Sequence, residues 1–276
     1  MSLFYIIGAG PSYLDVTEEE WKYLEDKHTI SFARVPYGSR KTEYYLSIEH
    51  SLVASSILPY MAKLGWFDIN LLLYNQDDLQ LAKQLGFKHI RQISKGNFYF
   101  LPSRKPWFED EAEPPNTFQE TMAKNFHLPL FRFRDQLSAV INSVLILGAT
   151  EIRLIGIDMN DQWNFYDRDN FTHLNKLCKD KETVDKYLEY KSSKAVLERE
   201  SGKVKFNINY NPSSMHTCSM PMYEKDKYGD KSFRGIIDII QWIDKEMKKE
   251  QMEGIYTTSK NSLLYIKNKL EYREII

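Results

Sequence analysis

Two cysteines in 276 residues, Cys178 and Cys218, exclude a disulfide framework. Neither belongs to a Cys-x-x-Cys pair or stands at zinc-ligand spacing from a histidine, so both are expected as reduced thiols in a cytosolic protein. An excess of charge of either sign is also missing. With 37 basic against 38 acidic side chains, no overall field draws the chain to nucleic acid or to an anionic membrane. No apolar run approaches the roughly 20 residues of a membrane span, and the N-terminus lacks the basic region, apolar stretch and cleavage site of a secretory signal. Two nucleotide signatures are absent as well. There is no Gly-Lys-Ser/Thr of a P-loop, and Gly8-Ala9-Gly10 lacks both the third glycine of the dinucleotide fingerprint and an acid ending a second strand, so NAD and FAD are not expected.

What is present begins at the first residues. Phe4-Tyr5-Ile6-Ile7 is an apolar run that breaks into Gly8-Ala9-Gly10-Pro11-Ser12. A buried strand feeding a glycine turn with bare amides is a common way to hold a nucleotide phosphate or ribose. The same glycines also suit a strand-to-helix turn that needs them for geometry alone. Aromatic side chains are abundant, 18 Tyr and 15 Phe; most are expected in the core, while clusters such as Trp163-Asn164-Phe165-Tyr166 suit sugar or base stacking.

The length allows one large domain, or a domain with an insertion, and a substantial core. Thr17-Glu18-Glu19-Glu20 reads as a capping box opening a helix to about Lys27. Strand patterns follow at 29–32 and 43–47, then a helix over 51–64 and a buried strand within 67–74. Asp77 is expected to cap a helix that Gly86 stops, before a strand at 88–93. Asp135 is expected to cap an apolar helix ended by Gly148, and 151–158 reads as a central strand ending in Asp158. Ser232 is expected to cap an amphipathic helix, followed by a strand at 254–258 and a docked helix in the tail 262–276 with a secondary option of membrane-surface contact. This alternation predicts an α/β, Rossmann-like fold with a mostly parallel sheet flanked by helices. Its core would be 1–159 with 232–276. Between them, 160–231 has few apolar positions and many charges, and is expected as a lid-like insertion over the crevice, with a helix near 181–199.

Ligands of open α/β sheets bind beyond the carboxyl ends of the strands, so Asp158 and Gly8-Ala9-Gly10 should share one crevice. His50, beside Glu49, follows another strand end, and His216 lies in a polar loop; each could serve as a base near neutral pH. Arg34, Arg132 and Arg134 could hold a phosphate or a carboxylate through a bidentate guanidinium. Asp167-Arg168-Asp169 has the spacing with which metal-dependent transferases hold Mg²⁺ or Mn²⁺ against a nucleotide diphosphate.

Three segments in this order, 6–12 (Ile-Ile-Gly-Ala-Gly-Pro-Ser), 147–158 (Leu-Gly-Ala-Thr-Glu-Ile-Arg-Leu-Ile-Gly-Ile-Asp) and 261–264 (Asn-Ser-Leu-Leu), resemble the bacterial CMP-sialic-acid-dependent sialyltransferases of Campylobacter type. They resemble more loosely the wider Rossmann-like set of surface-glycan and flagellar-glycosylation proteins. The resemblance implies metal-independent transfer of a 3-deoxy acidic sugar, sialic acid or Kdo, from its CMP-activated donor to a cell-surface glycan or glycolipid acceptor such as lipooligosaccharide or capsule. It also implies a cytoplasmic homo-oligomer, peripheral at the inner membrane if the tail makes contact there. Gly8, Ala9, Gly10 and Ser12 would surround the nucleotide with Asp158 beside it, and Tyr166 would hydrogen-bond the leaving phosphate. The chain departs from the pattern at Ala9, where the family has an asparagine, at Asn160, in the place of a phosphate-binding tyrosine, and at Lys231-Ser232-Phe233-Arg234, where the basic histidine would stand. His216 or His50 would then deprotonate the acceptor. Two alternatives stay open: a metal-dependent nucleotide-diphosphate-sugar transferase or pyrophosphokinase using Asp167 and Asp169, and a nucleotide-binding accessory protein without transfer activity.

Overall fold

A computed structural model describes residues 2–48, 51–94, 107–108, 110–132, 136–159, 222–223 and 232–276. Its frame is an eight-stranded sheet in the order β10-β9-β6-β1-β2-β3-β4-β5, every neighbouring pair parallel. The strands are β1 (Leu3–Ile7), β2 (His28–Phe32), β3 (Tyr44–Ser47), β4 (Asn70–Leu73), β5 (His89–Gln92), β6 (Glu151–Ile155), β9 (Gly254–Thr257) and β10 (Glu271–Tyr272). Two more, β7 (Met222–Tyr223) and β8 (Ser232–Phe233), form a separate antiparallel pair.

Central strands of such a sheet are covered on both sides, and so read as apolar runs rather than alternations. In β1, Tyr5 and Ile7 point to one face, where they meet α1 (Glu18–Leu24), α2 (Ser51–Lys63) and α3 (Gln76–Gln84) through Trp21, Ile57, Met61 and Leu79. Phe4 and Ile6 point to the other, toward α4 (Phe118–Thr121), α5 (Leu137–Ile146), α6 (Ile236–Lys249) and α7 (Leu263–Ile266) through Val140, Ile141, Ile240 and Leu264. Parallel crossovers are right-handed, so a chain that builds outward from β1 in one direction and then in the other must change faces. It does so between β1 and β6. This is the Rossmann-like architecture expected from the sequence, and it fixes a topological switch point at the carboxyl ends of those two strands.

Several local expectations are corrected. The capping box at Thr17 and Glu20 is present, but α1 ends at Leu24. The cap of α3 is Asn75, whose side chain accepts the Asp77 N–H, so Asp77 is the capped residue rather than the cap. Gln136 is the residue preceding α5 and supplies no side-chain cap, while Asp135 lies outside the described residues. Ser232 belongs to β8, and α6 starts from Gly235 without a side-chain cap. The tail is not one helix. After the single turn of α7, Asn268 takes the left-handed conformation (φ 52°) and the chain continues as the edge strand β10. Ile275 then packs into the opposite face, with its carbonyl accepting the Tyr5 hydroxyl at 2.8 Å. No helix among the described residues is long and apolar enough to cross a membrane. The expected lid and its helix lie outside the described residues, apart from Met222 and Tyr223.

Candidate functional site

The switch point is built by close backbone approach. The amides of Gly8 and Gly10 donate to the carbonyls of Ile155 and Gly156, each at 2.7 Å, extending the β1 and β6 ladder past both strands. A Cβ on Gly8 would lie 2.5 Å from the Gly156 carbonyl oxygen, and one on Gly156 (φ 64°) would lie 2.5 Å from that of Gly8. Only a pair of glycines permits this crossing. Beyond it, Asp158 stands two residues past the end of the ladder, and its Oδ2 accepts the Ser12 N–H at 2.9 Å. Gly10 lies so close to that carboxylate that a Cβ there would sit 2.5 Å from Oδ2.

A third segment closes the knot. The Ser262 hydroxyl donates to the Ile157 carbonyl at 2.9 Å, and the Leu263 N–H donates to the Asp158 carbonyl at 2.9 Å. Residues 8–12, 156–158 and 262–263 are separated by more than a hundred positions in sequence, yet form one bonded unit at the carboxyl edge.

The amides of Gly8, Gly10 and Ser12 are all donated within the protein, so at these positions the turn offers side chains rather than N–H groups to a ligand. Two such atoms stand out. Asp158 is 4% exposed and Ser12 8%; neither Asp158 Oδ1 nor Ser12 Oγ makes a hydrogen bond of good geometry among the described residues, and the hydroxyls of Ser12 and Ser259 lie close to the carboxylate. Burial raises the Asp158 carboxyl above the ordinary carboxylate range, against the opposing pull of the Ser12 N–H and of the Ser12 and Ser259 hydroxyls. A desolvated carboxylate oxygen without a donor is costly, and native proteins retain few of them.

The same edge carries more. Ser47 at the end of β3, Asp78 in the first turn of α3 and Gln136 at the start of α5 are buried, each with a side-chain oxygen lacking a hydrogen-bond partner among the described residues. None of the three was legible as a site residue. Ser47 could have been found by the strand-end rule, but Asp78 and Gln136 read as ordinary helix-start residues and only their burial sets them apart. Burial, with the neighbouring Asp77, raises the Asp78 carboxyl to about 6.

Of the cationic candidates, half-buried Arg34 follows β2, at the start of a 3-10 turn over Val35–Gly38. Arg132 reaches the end of β3, where its Nη1 donates to the Ile48 carbonyl at 3.1 Å. The segment before it is tied to α5 by Asn142, whose buried Oδ1 accepts the amides of Ala123 and Phe131. Ala9 is half-buried in the turn itself. His50, Glu49, Arg134, Asn160, Tyr166, Asp167, Asp169 and His216 lie outside the described residues, as do Trp163 and both cysteines. Among the described residues, no group of His, Cys, Asp or Glu is arranged to hold a metal ion. The chain matches no protein-family model, no curated protein and no solved structure.

Proposed function

We propose that this protein is a cytoplasmic glycosyltransferase that moves a 3-deoxy acidic sugar, sialic acid or Kdo, from its CMP-activated donor to a cell-surface glycan acceptor. One observation carries the reading. The three segments that resemble CMP-sialic-acid-dependent sialyltransferases, far apart in sequence, meet in one bonded unit at the sheet's switch point, where α/β proteins hold their ligands. The buried Asp158 Oδ1 and Ser12 Oγ at that point are suited to the hydroxyl and amine donors of a cytidine nucleotide. Arg34 and Arg132, at neighbouring strand ends, are suited to the donor's phosphate and carboxylate.

In this reading the acceptor oxygen attacks the anomeric carbon and that carbon's bond to the CMP phosphate oxygen breaks. The acceptor proton passes to His216 or His50, and CMP leaves with its charge stabilised by Tyr166. A second reading, a nucleotide-binding accessory protein without transfer activity, is favoured by the internal use of the Gly8, Gly10 and Ser12 amides, which leaves recognition to side chains.

Calorimetric titration with CMP, and with CDP, UDP and GDP as controls, with and without EDTA, separates these cases. The proposal expects CMP binding that survives chelation and release of CMP from a CMP-sugar when acceptor is added. Binding confined to a metal-loaded diphosphate would replace it with the metal-dependent alternative and make Asp167 and Asp169 the residues to mutate. CMP binding with no release from any CMP-sugar would favour the accessory reading.

A further inference from the structure

Beside the switch point, α7 and β10 carry a surface that nothing in the core requires. Tyr265 is 38% exposed and Ile266 59%, adjacent in the chain, whereas Leu14, Leu64 and Leu128 are exposed singly. The Tyr265 ring meets the half-buried Tyr272 ring edge-on, with centroids 6.2 Å apart and planes at 67°. The Lys260 ammonium sits 4.5 Å from the centre of the Tyr272 ring.

The cations nearby differ from Lys260 in one respect. Lys269 is paired with Asp238 at 3.0 Å, Arg273 with Glu151 at 3.0 Å and Glu253 at 3.3 Å, and Lys248 with Asp244 at 3.1 Å. Lys260 has no acidic partner among the described residues; its contact there is the face of a tyrosine. A cation over an exposed aromatic face is held weakly and is available to a stronger anionic partner.

The patch is continuous with the candidate crevice. Lys260 follows Ser259, which is buried, and α7 starts at the hydrogen bond from Leu263 N–H to the Asp158 carbonyl. Tyr272 is in register with Thr257, which pairs with Leu154, so it lies two strands from β6, about 10 Å across the sheet.

We propose that Lys260, Tyr265 and Tyr272 form a binding subsite for an acidic carbohydrate, the exposed Tyr265 ring lying against a sugar face, the Tyr272 ring positioning Lys260, and Lys260 taking the sugar's carboxylate. The proposal deepens the transferase reading, on which it rests for assigning the subsite to the acceptor chain. An exposed amphipathic ring beside an ammonium without an acidic partner among the described residues matches a pyranose with a carboxylate. The patch is too small for a stable protein interface. A bilayer headgroup surface would call for about four to eight clustered basic residues, whereas here Lys269 and Arg273 are already neutralised and Glu271 and Glu274 stand exposed nearby.

The test is calorimetric titration of the full chain with hyaluronan hexasaccharide, and with maltohexaose as an uncharged control, comparing wild type with Lys260→Ala and Tyr265→Ala. Both changes are at exposed positions and are expected to leave the melting temperature unchanged. The expected result is binding of the acidic hexasaccharide, about fivefold weaker in each variant, with little binding of maltohexaose. CMP affinity should be the same in all three proteins. Equal binding of both sugars, no binding of either, or affinity untouched by the two changes would overturn the subsite. So would loss of binding to phosphatidylserine vesicles in the variants without any binding of the hexasaccharide. If CMP fails to bind while the hexasaccharide binds with the expected sensitivity, the carbohydrate subsite stands and the transferase reading falls.

Discussion

The two ends of the sheet solve the same problem in opposite ways. At the amino ends of β2, β3 and β4 the surface is an open groove of about 580 Å³ lined by charged side chains such as Lys27, His28, Lys41, Glu43 and Asp68. There polar side chains meet at the surface: Lys41 Nζ lies 2.7 Å from Asp68 Oδ1, and His28 Nδ1 hydrogen-bonds with Glu43 Oε2 at 2.8 Å. These groups are also largely exposed, so each pair is worth little. At the carboxyl ends, among the described residues, Ser12, Ser47, Asp78, Gln136 and Asp158 are buried and each keeps an oxygen without a hydrogen bond of good geometry. A fold selected for stability alone would exchange such atoms for apolar ones. The contrast teaches where function should be sought: at the edge where polarity is buried and unmatched, rather than at the edge where it is abundant and paired.

Breaking the comparison at its strongest point means separating the two strand ends. Gly8→Ala places a methyl 2.5 Å from the Gly156 carbonyl oxygen, and backbone cannot yield as a side chain tip can. We expect a loss of about 3 kcal/mol in denaturant unfolding and loss of CMP binding.

A smaller effect follows from Asp78. Its folded-state pKa, raised from 3.8 to about 6, lies above the unfolded value. Its contribution to stability is therefore full below about pH 4 and lost as pH rises through 6. The wild-type melting temperature should fall between pH 5 and 7 by about 4 °C more than that of Asp78→Asn. Identical slopes in differential scanning calorimetry would remove Asp78 from the unmatched set.

The smallest effect belongs to the amino edge. Lys41→Ala removes an exposed pair with Asp68, and should change stability by less than about 1 kcal/mol and leave CMP affinity intact. A larger loss would blur the contrast between the edges.

Much of this was legible in the sequence. The apolar run of β1, the capping box at Thr17 and the alternation of strand and helix each rest on local periodicity or on a single turn, and point to a mostly parallel sheet flanked by helices. The strand-end rule joined Asp158 to Gly8-Ala9-Gly10 across nearly 150 residues. What escaped depends on contacts that periodicity does not encode. Asn75 and Asp77 are equally good caps on paper, and only the path of the chain selects Asn75. Ser232 has the chemistry of a cap, but pairing of Ser232–Phe233 with Met222–Tyr223 draws it into a strand. Leu263, Leu264 and Leu270 are spaced as in a helix, yet all three are buried by a single turn and an edge strand. Nor did the glycine turn reveal that the amides of Gly8, Gly10 and Ser12 are taken up by the protein itself.

If Asp158 is kept for a ligand rather than for stability, thermal unfolding of wild type and Asp158→Asn, each with and without saturating CMP, will show it. Asparagine retains an oxygen for the Ser12 N–H while removing a buried carboxyl whose pKa is raised. A carboxyl with a raised pKa contributes its full stabilisation below the ordinary carboxylate range and loses it as pH rises through the raised value. At pH 7.5 the variant without ligand should therefore melt no lower than wild type, while CMP should raise the wild-type midpoint by about 5 °C and the variant's by little. A variant that melts several degrees lower without ligand, and gains as much from CMP as wild type does, would show that Asp158 serves the fold and not a ligand.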